Sequence, residues 1–239
     1  MQHTLFGRKV LLENLNNPQV AHVDLAKNNH DLIAKLKAHH IHFQIRDDAF
    51  FKQFPSKLIH QGIMIVMKDT NLVNNLDDLM INLHNKAKSI IVIIDSIQDA
   101  QNFGSILRTC EAFGVDAVIY KKDQQVQLND FVSKSSMGAT QYLNLIRVSN
   151  LLNVINTLKV NKYWIYASTF TNKSERYLNI KYQKKCALII GNETNGISSL
   201  LIKESDFEIN IPMYGKIQSL NAAVATGILL GEIKRQNLN

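Results

Sequence analysis

Cysteine is scarce in this 239-residue chain: Cys110 and Cys186 are the only two, in separate segments without metal-ligand spacing. Each lies in an apolar run and reads as a small core residue, so neither a disulfide nor a zinc site is expected. Long hydrophobic runs are lacking as well. No apolar stretch approaches the ~20 residues that a membrane-spanning helix needs, and the opening MQHTLFGRKV carries no h-region of a secretory signal. The expectation is a cytoplasmic protein that does not engage a membrane. Histidine is missing from the whole C-terminal part: all eight (His3, His22, His30, His39, His40, His42, His60 and His84) precede residue 89. Chemistry performed there must proceed without an imidazole of its own. His39, His40 and His42 stand close together, but they straddle a helix end and a strand start with no Cys or carboxylate in a matching pattern, so they read as surface histidines. Phosphate loops are absent too. Neither G-x-G-x-x-G nor G-x-x-x-x-G-K-[ST] occurs, and GNETNG (191–196) runs on into Ile197 and Ser198, which argues against dinucleotide binding and P-loop hydrolysis.

The chain is 46% hydrophobic and 20% charged, the composition of a folded globular protein, and its length suits two modest domains. A net charge of +7 favours a polyanionic partner. That excess is spread along the chain, since residues 1–88 carry 11 Lys and Arg against 8 Asp and Glu, and the remainder 16 against 12. No basic tail concentrates it.

Residues 6–15 look helical, 20–25 extended, 31–39 helical with Asp31 near the cap, and 41–46 extended, and GIMIVM (62–67) is a short apolar strand. After the polar stretch KDTNLVNN (68–75) comes a helical segment, 76–88, and then the strongest strand, SIIVIID (89–95). These features predict a small domain over 1–75, a connecting helix over 76–88 and a larger domain over 89–239. In the larger one, strands at 90–94, 117–120, 143–148, 164–167, 187–190 and 207–212 alternate with helices at 102–113, 128–136, 151–158, 198–203 and from 220. Continuous apolar strands alternating with helices imply an α/β fold with a parallel sheet covered on both faces.

Three segments place polar residues at strand ends. In DSIQDAQNFGSILRTCEAFG (95–114), Phe103, Ile106, Leu107, Cys110 and Phe113 form one apolar helix face, while Gly104, Arg108 and Glu111 share the opposite one. Asn102 sits at the expected helix start, where a capping side chain is usual. A capped surface helix with an Arg108–Glu111 pair would account for the same pattern. In LIIGNETNGIS (188–198) a buried strand ends in a glycine-bounded loop with one carboxylate, Glu193; strand C-termini in such sheets are where ligands bind, though a plain turn would look alike. In INIPMYGKIQSLNAAVATGILLGE (209–232) a strand closed by Pro212 leads through Gly215 into a helix capped by Ser219, and Ser219 and Asn221 at its N-terminus suit polar or anionic groups. Ala223, Gly227 and Gly231 make a small-residue stripe that admits close approach of another backbone, from a subunit partner or from the same chain.

Together these segments resemble the SpoU family, the ribose 2'-O branch of the SPOUT methyltransferases. NFGSILRT (102–109), IIGNETNGIS (189–198) and IPMYGKIQSLNAAVATG (211–227) are similar to its three motifs, in order and at similar spacing, and VSKSSMGA (132–139) resembles the segment between the first two. LFGRKVLLENL (5–15) is similar to the entry of the ribosomal-protein-L30-like RNA-binding domain of bacterial 23S rRNA guanosine-2'-O-methyltransferases, so the resemblance spans nearly the whole chain. Ala100 stands where the family commonly has Pro, and Thr194 where it commonly has Gly.

The resemblance implies a trefoil-knotted catalytic domain and a homodimer with its active sites at the subunit interface. It implies S-adenosylmethionine as methyl donor, without a metal, held mostly by main-chain groups at Gly191, Asn192, Ile211 and Leu220, with Ser168 and Thr169 at the preceding strand end. Arg108 would help activate the ribose 2'-hydroxyl or bind the neighbouring phosphate, while Asn102, Glu193, Ser219 and Asn221 position Arg108, the ribose and the cofactor. The implied substrate is RNA, a guanosine of 23S rRNA. A tRNA ribose methyltransferase and a catalytically silent RNA-binding ribosome-assembly factor are the competing readings.

Overall fold

A computed structural model describes residues 4–17, 20–55, 58–67, 72–192, 194–217 and 219–237. It divides the chain into two compact units, Met1–Asn71 and Leu72–Asn239.

In the first unit, β1 (Thr4–Phe6), α1 (Arg8–Glu13), β2 (Val20–Ala26), α2 (His30–Ala38), β3 (Phe43–Arg46), α3 (Asp48–Lys52) and β4 (Ile63–Met67) follow in order. The sheet runs β1-β4-β2-β3. β4 is antiparallel to both neighbours, while β2 and β3 are parallel, joined through α2. The strand alternation sets its two faces: Val23, Leu25, Ile63 and Ile65 pack with Leu11, Leu32 and Leu36 on one side, and Ala26, Met64 and Val66 lie with Phe51 on the other. The helix expected from residue 6 begins later. Phe6 closes a strand, and Gly7, at φ 97, turns the chain into α1, a conformation that glycine alone reaches at little cost. α3 was not expected; it is five residues long, and its cap is Asp47, whose carboxylate accepts from Phe50 N–H at 3.0 Å.

The second unit begins with α4 (Leu76–Leu83), then β5 (Ser89–Asp95), α5 (Ala100–Ala112), β6 (Ala117–Lys121), α6 (Asp130–Ser135), β7 (Asn144–Val148), α7 (Leu151–Val160), β8 (Trp164–Ser168), β9 (Glu175–Arg176), β10 (Lys185–Gly191), α8 (Ser199–Lys203), β11 (Phe207–Asn210) and α9 (Ala222–Asn237). Its sheet has the order β7-β6-β5-β10-β8-β11-β9, with every pairing parallel. β5 is buried at all seven positions. Ile90, Val92 and Ile94 face a core with Phe103, Ile106, Leu107 and Leu229, so α5 and α9 cover that side. Ile91 and Ile93 face Leu79, Val154, Ile155 and Leu201, so α4, α7 and α8 cover the other. The Leu76–Leu83 helix, read from sequence as a connector, thus contributes Leu79, Met80 and Leu83 to a core of the second unit. Among the described residues, no helix is long and apolar enough to cross a membrane.

Gly104 departs from the expected pattern. It is buried, and a Cβ there would lie 1.9 Å from Ser135 Oγ and 3.0 Å from Ser136 N. The segment 132–139 is therefore the element that packs on α5 at Gly104, and the absence of a side chain lets the two helices meet.

Candidate active site

β5 and β10 run side by side and in register to their C-terminal ends, where Asp95 pairs with Gly191. Beyond that end the 191–198 segment is drawn into a tight loop. Asn192 N–H donates to Gly196 O at 3.0 Å, and Gly196 N–H returns to Asn192 O at 2.8 Å. The Asn192 side chain fills the loop's interior: its Oδ1 accepts from Thr194 N–H at 2.7 Å and Asn195 N–H at 3.2 Å, and its Nδ2 donates to Ser96 O at 2.8 Å. Gly196 takes φ +66, whereas Gly191 is required for another reason, since a Cβ there would fall 2.3 Å from Gly196 C and 2.5 Å from Ile197 N. Glu193, expected to take part in catalysis, lies outside the described residues.

Asp95 ties this loop to β5, a role that the sequence reading missed. Asp95 is 2% exposed. One carboxylate oxygen accepts from Ser198 N–H at 2.9 Å; the other accepts from Ser96 Oγ at 2.9 Å and lies 3.4 Å from Lys121 Nζ. A buried carboxylate is stable when hydrogen bonds and an opposite charge compensate it, and both are present. The signal was available: an acidic residue closing a continuously buried strand.

Next to the loop, at the C-terminal ends of β8, β10 and β11, lies a cleft of about 210 Å³. All six residues expected to contact a cofactor line it: Ser168, Thr169, Gly191, Asn192, Ile211 and Leu220. Ser219 lines it as well, as do Asn210 and Met213, which sequence reasoning did not single out. Asn210 is held by Nδ2 donating to Ser174 O at 2.9 Å, and Thr169 by its N–H donating to Ile209 O at 2.9 Å. Among the described residues, none that lines the cleft is charged.

Two capping assignments change. The cap of α5 is Asp99, whose carboxylate accepts from Asn102 N–H at 2.7 Å, and Ala100 follows it as first helical residue. Proline is favoured at that position for its fixed φ, so alanine replaces it without a lost hydrogen bond. The cap of α9 is Asn221 rather than Ser219, because Asn221 Oδ1 accepts from Ala223 N–H at 2.9 Å. Its Nδ2 donates to Asn102 Oδ1 at 2.8 Å, which joins the first and third segments at the start of both helices.

Arg108 is exposed on α5 and is not among the residues that line the cleft. The Arg108–Glu111 pair of a plain surface helix is not formed. The small-residue stripe of α9 meets α5 of the same chain, with Gly227 3.7 Å from Thr109 Cγ2 and Gly231 3.8 Å from Phe113 Cζ, each measured from a hypothetical Cβ. Both cysteines are buried, and loss of hydration pushes the Cys186 thiol up to about 12 and the Cys110 thiol higher still. Among the described residues no three His, Cys, Asp or Glu side chains are grouped as a metal site would need.

Solved SpoU methyltransferases of the SPOUT fold superpose on this chain with its all-parallel sheet. An AdoMet-bound rRNA methyltransferase from Sinorhizobium meliloti does so with a TM-score of 0.68 at 21% identity, covering 100% of this chain and 88% of its own. The A. aeolicus TrmH/SpoU tRNA modifying enzyme, at 32% identity, gives a TM-score of 0.58 over 67% of this chain and 81% of its own. Residues 89–231 match the SpoU rRNA Methylase family. An uncharacterized tRNA/rRNA methyltransferase of Mycoplasma genitalium is 40% identical over 232 residues, 96% of each chain. The protein belongs to the SpoU rRNA methylase family.

Proposed function

We propose that this protein transfers a methyl group from S-adenosylmethionine to a ribose 2'-hydroxyl of RNA, with a guanosine of 23S rRNA as substrate. The observation that carries this reading is the convergence of Ser168, Thr169, Gly191, Asn192, Ile211 and Leu220, from three distant segments, on one cleft. The lining fits the cofactor: Ile190, Ile211 and Leu220 offer apolar surface to a nucleoside, and Ser168, Thr169, Asn210 and the loop backbone offer hydrogen-bonding groups. When bound, S-adenosylmethionine supplies an electrophilic methyl group on a sulfonium. The chain's own contribution is alignment, which can be worth ~7 to 11 kcal/mol. Asn221 caps α9 and donates to the Asn102 amide oxygen, so the starts of α5 and α9 are joined next to Leu220 and Ala222, which line the cleft. Arg108 supplies a planar, delocalised positive charge with several N–H donors, which suits it to binding phosphate rather than to acting as a base. It would bind the adjoining phosphate and stabilise the negative charge that develops on the 2'-oxygen as the hydroxyl proton passes to solvent water and the oxygen accepts the methyl group.

Because Arg108 lies outside the cleft of its own chain, we infer that a second copy supplies it, in a homodimer. Exposed Tyr214, Ile217, Leu220 and Val224 beside the cleft, and Phe131 and Met137 near α6, support such an interface. The strand order, with β10 between β5 and β8, supports a trefoil-knotted path. The first unit is read as the L30-like RNA reader. A tRNA substrate is the second reading, favoured by the A. aeolicus neighbour, whose name assigns it to tRNA. Incubation with labelled donor and with 23S rRNA or tRNA transcripts, followed by mapping of 2'-O-methyl positions, tests the proposal. Label on a 23S guanosine ribose is expected; label on bases, or on neither RNA, would overturn it.

A further inference from the structure

A second cleft lies at the opposite end of the same sheet, where β8 and β10 begin. It is lined by His84, Lys86, Lys162, Trp164, Lys184 and Lys185 together with uncharged residues, and among the described residues no carboxylate lines it. The lysines divide by how they are engaged. Lys185 Nζ donates to the Leu83 and His84 carbonyls at 3.3 and 3.2 Å, and Lys86 is paired with Asp116. Lys162 and Lys184 are exposed and make no ion pair with the described residues. The same cleft holds Trp164, the only tryptophan in the chain, 44% exposed. Its ring is held from below. Phe207 lies 5.9 Å from it and stacks at 5.1 Å and 8° on Tyr166, which packs on Tyr182 at 5.0 Å.

A large apolar ring left in water at the end of an aromatic cluster, with two cations in the same cleft that make no ion pair among the described residues, matches the chemistry of unpaired RNA. Bases stack on the indole while lysines neutralise phosphates. An acidic peptide would satisfy the lysines but gives no use for the indole. We propose that this cleft is a second RNA contact, which holds a single-stranded segment of the substrate away from the reacting ribose. The seven residues of β10, at about 3.3 Å each, separate it from the cofactor cleft by roughly 20 Å. The inference rests on the reading that the substrate is RNA, and it adds where and in what form that RNA is held.

Because Trp164 is the sole tryptophan, its fluorescence reports on this cleft alone. The full-length protein is titrated with an unstructured fluorescein-labelled 12-nucleotide RNA, with labelled-RNA anisotropy followed beside tryptophan emission. Saturable quenching that tracks anisotropy is expected. The double variant Lys162→Glu, Lys184→Glu should weaken affinity at least tenfold and flatten the log–log salt dependence by about 1.4, from ~0.7 for each phosphate lost. Trp164→Phe, which keeps the apolar contact with Phe207, should weaken binding less than the double charge reversal. Both variants should bind S-adenosylmethionine as the parent does. Anisotropy that saturates with unchanged tryptophan emission would overturn the inference while leaving an RNA substrate intact. Equal quenching by poly-glutamate would overturn it in favour of an acidic partner, and no RNA binding at all would remove both this inference and the reading beneath it.

Discussion

Gly191→Ala tests whether the self-bonded loop shapes the cleft proposed to hold the cofactor. The added Cβ would sit 2.3 Å from Gly196 C, 2.4 Å from Gly196 O and 2.5 Å from Ile197 N. Attractive contact between heavy atoms lies at ~3.5 Å, so the loop must retreat by about 1 Å. All three obstructing atoms are backbone, and no rotamer change relieves the clash. A 1 Å retreat stretches the Asn192–Gly196 pair of bonds from 3.0 and 2.8 Å beyond hydrogen-bonding range. Two such bonds at about 1 kcal/mol each make roughly 2 kcal/mol. Expressed in binding, that is about 30-fold weaker affinity for S-adenosylmethionine; expressed in the fold, it lowers Tm by ~4 to 8 °C for a unit of this size. Calorimetric titration and a thermal melt measure the two. Gly196→Ala is the control: its φ of +66 makes a side chain costly, about 1 to 2 kcal/mol, but its Cβ meets no described residue within 4 Å. It should therefore affect cofactor affinity less than Gly191→Ala. Parental affinity and parental Tm in Gly191→Ala would refute the steric argument.

Arg108→Ala should reduce methyl transfer by roughly 10²- to 10³-fold, with Tm and cofactor affinity unchanged because the residue is exposed and makes no ion pair among the described residues; near-normal turnover would take Arg108 out of the mechanism. Asp95→Asn puts an amide N–H or a weaker acceptor before Ser198 N–H and leaves Lys121 without its counter-ion, so stability should fall by about 1 to 3 kcal/mol, read in denaturant melts alongside weaker cofactor binding; a neutral outcome would show that the loop is not anchored there. Both thiols are raised in the folded state, so the unfolded chain loses their protons first. Stability should thus hold below the unfolded thiol pKa of ~8.5 and decline as pH rises from there toward about 12, the Cys186 value. A double Cys→Ala variant with the same alkaline decline would assign it elsewhere. In the native protein neither thiol should react with a disulfide reagent at pH 8.

The strands of the second unit were legible because a parallel strand covered on both faces must be apolar at every position, and SIIVIID is buried throughout. The six residues proposed to hold the cofactor were singled out through their motifs, and the structure gathers them in one cleft. Caps were read less well. Asn102 and Ser219 both stand near a helix start with side chains able to cap, but the chain turns into the helix at Asp99 and Asn221, and only the backbone path decides which neighbour does so. The short β1 and α3 were missed because three and five residues display too little of a period to separate helix from strand.

Periodicity and motif order, which are properties of neighbouring residues, determined the class of the second unit, its strands and the segments that carry chemistry. Contacts between residues far apart in the chain were decided by the tertiary structure. Asp95 reaching Ser198, Asn221 reaching Asn102, Gly104 making room for Ser135 and Trp164 left exposed on its aromatic stack each depend on which elements become neighbours. That choice is made by burying whole faces at once, and no local pattern in the sequence records it.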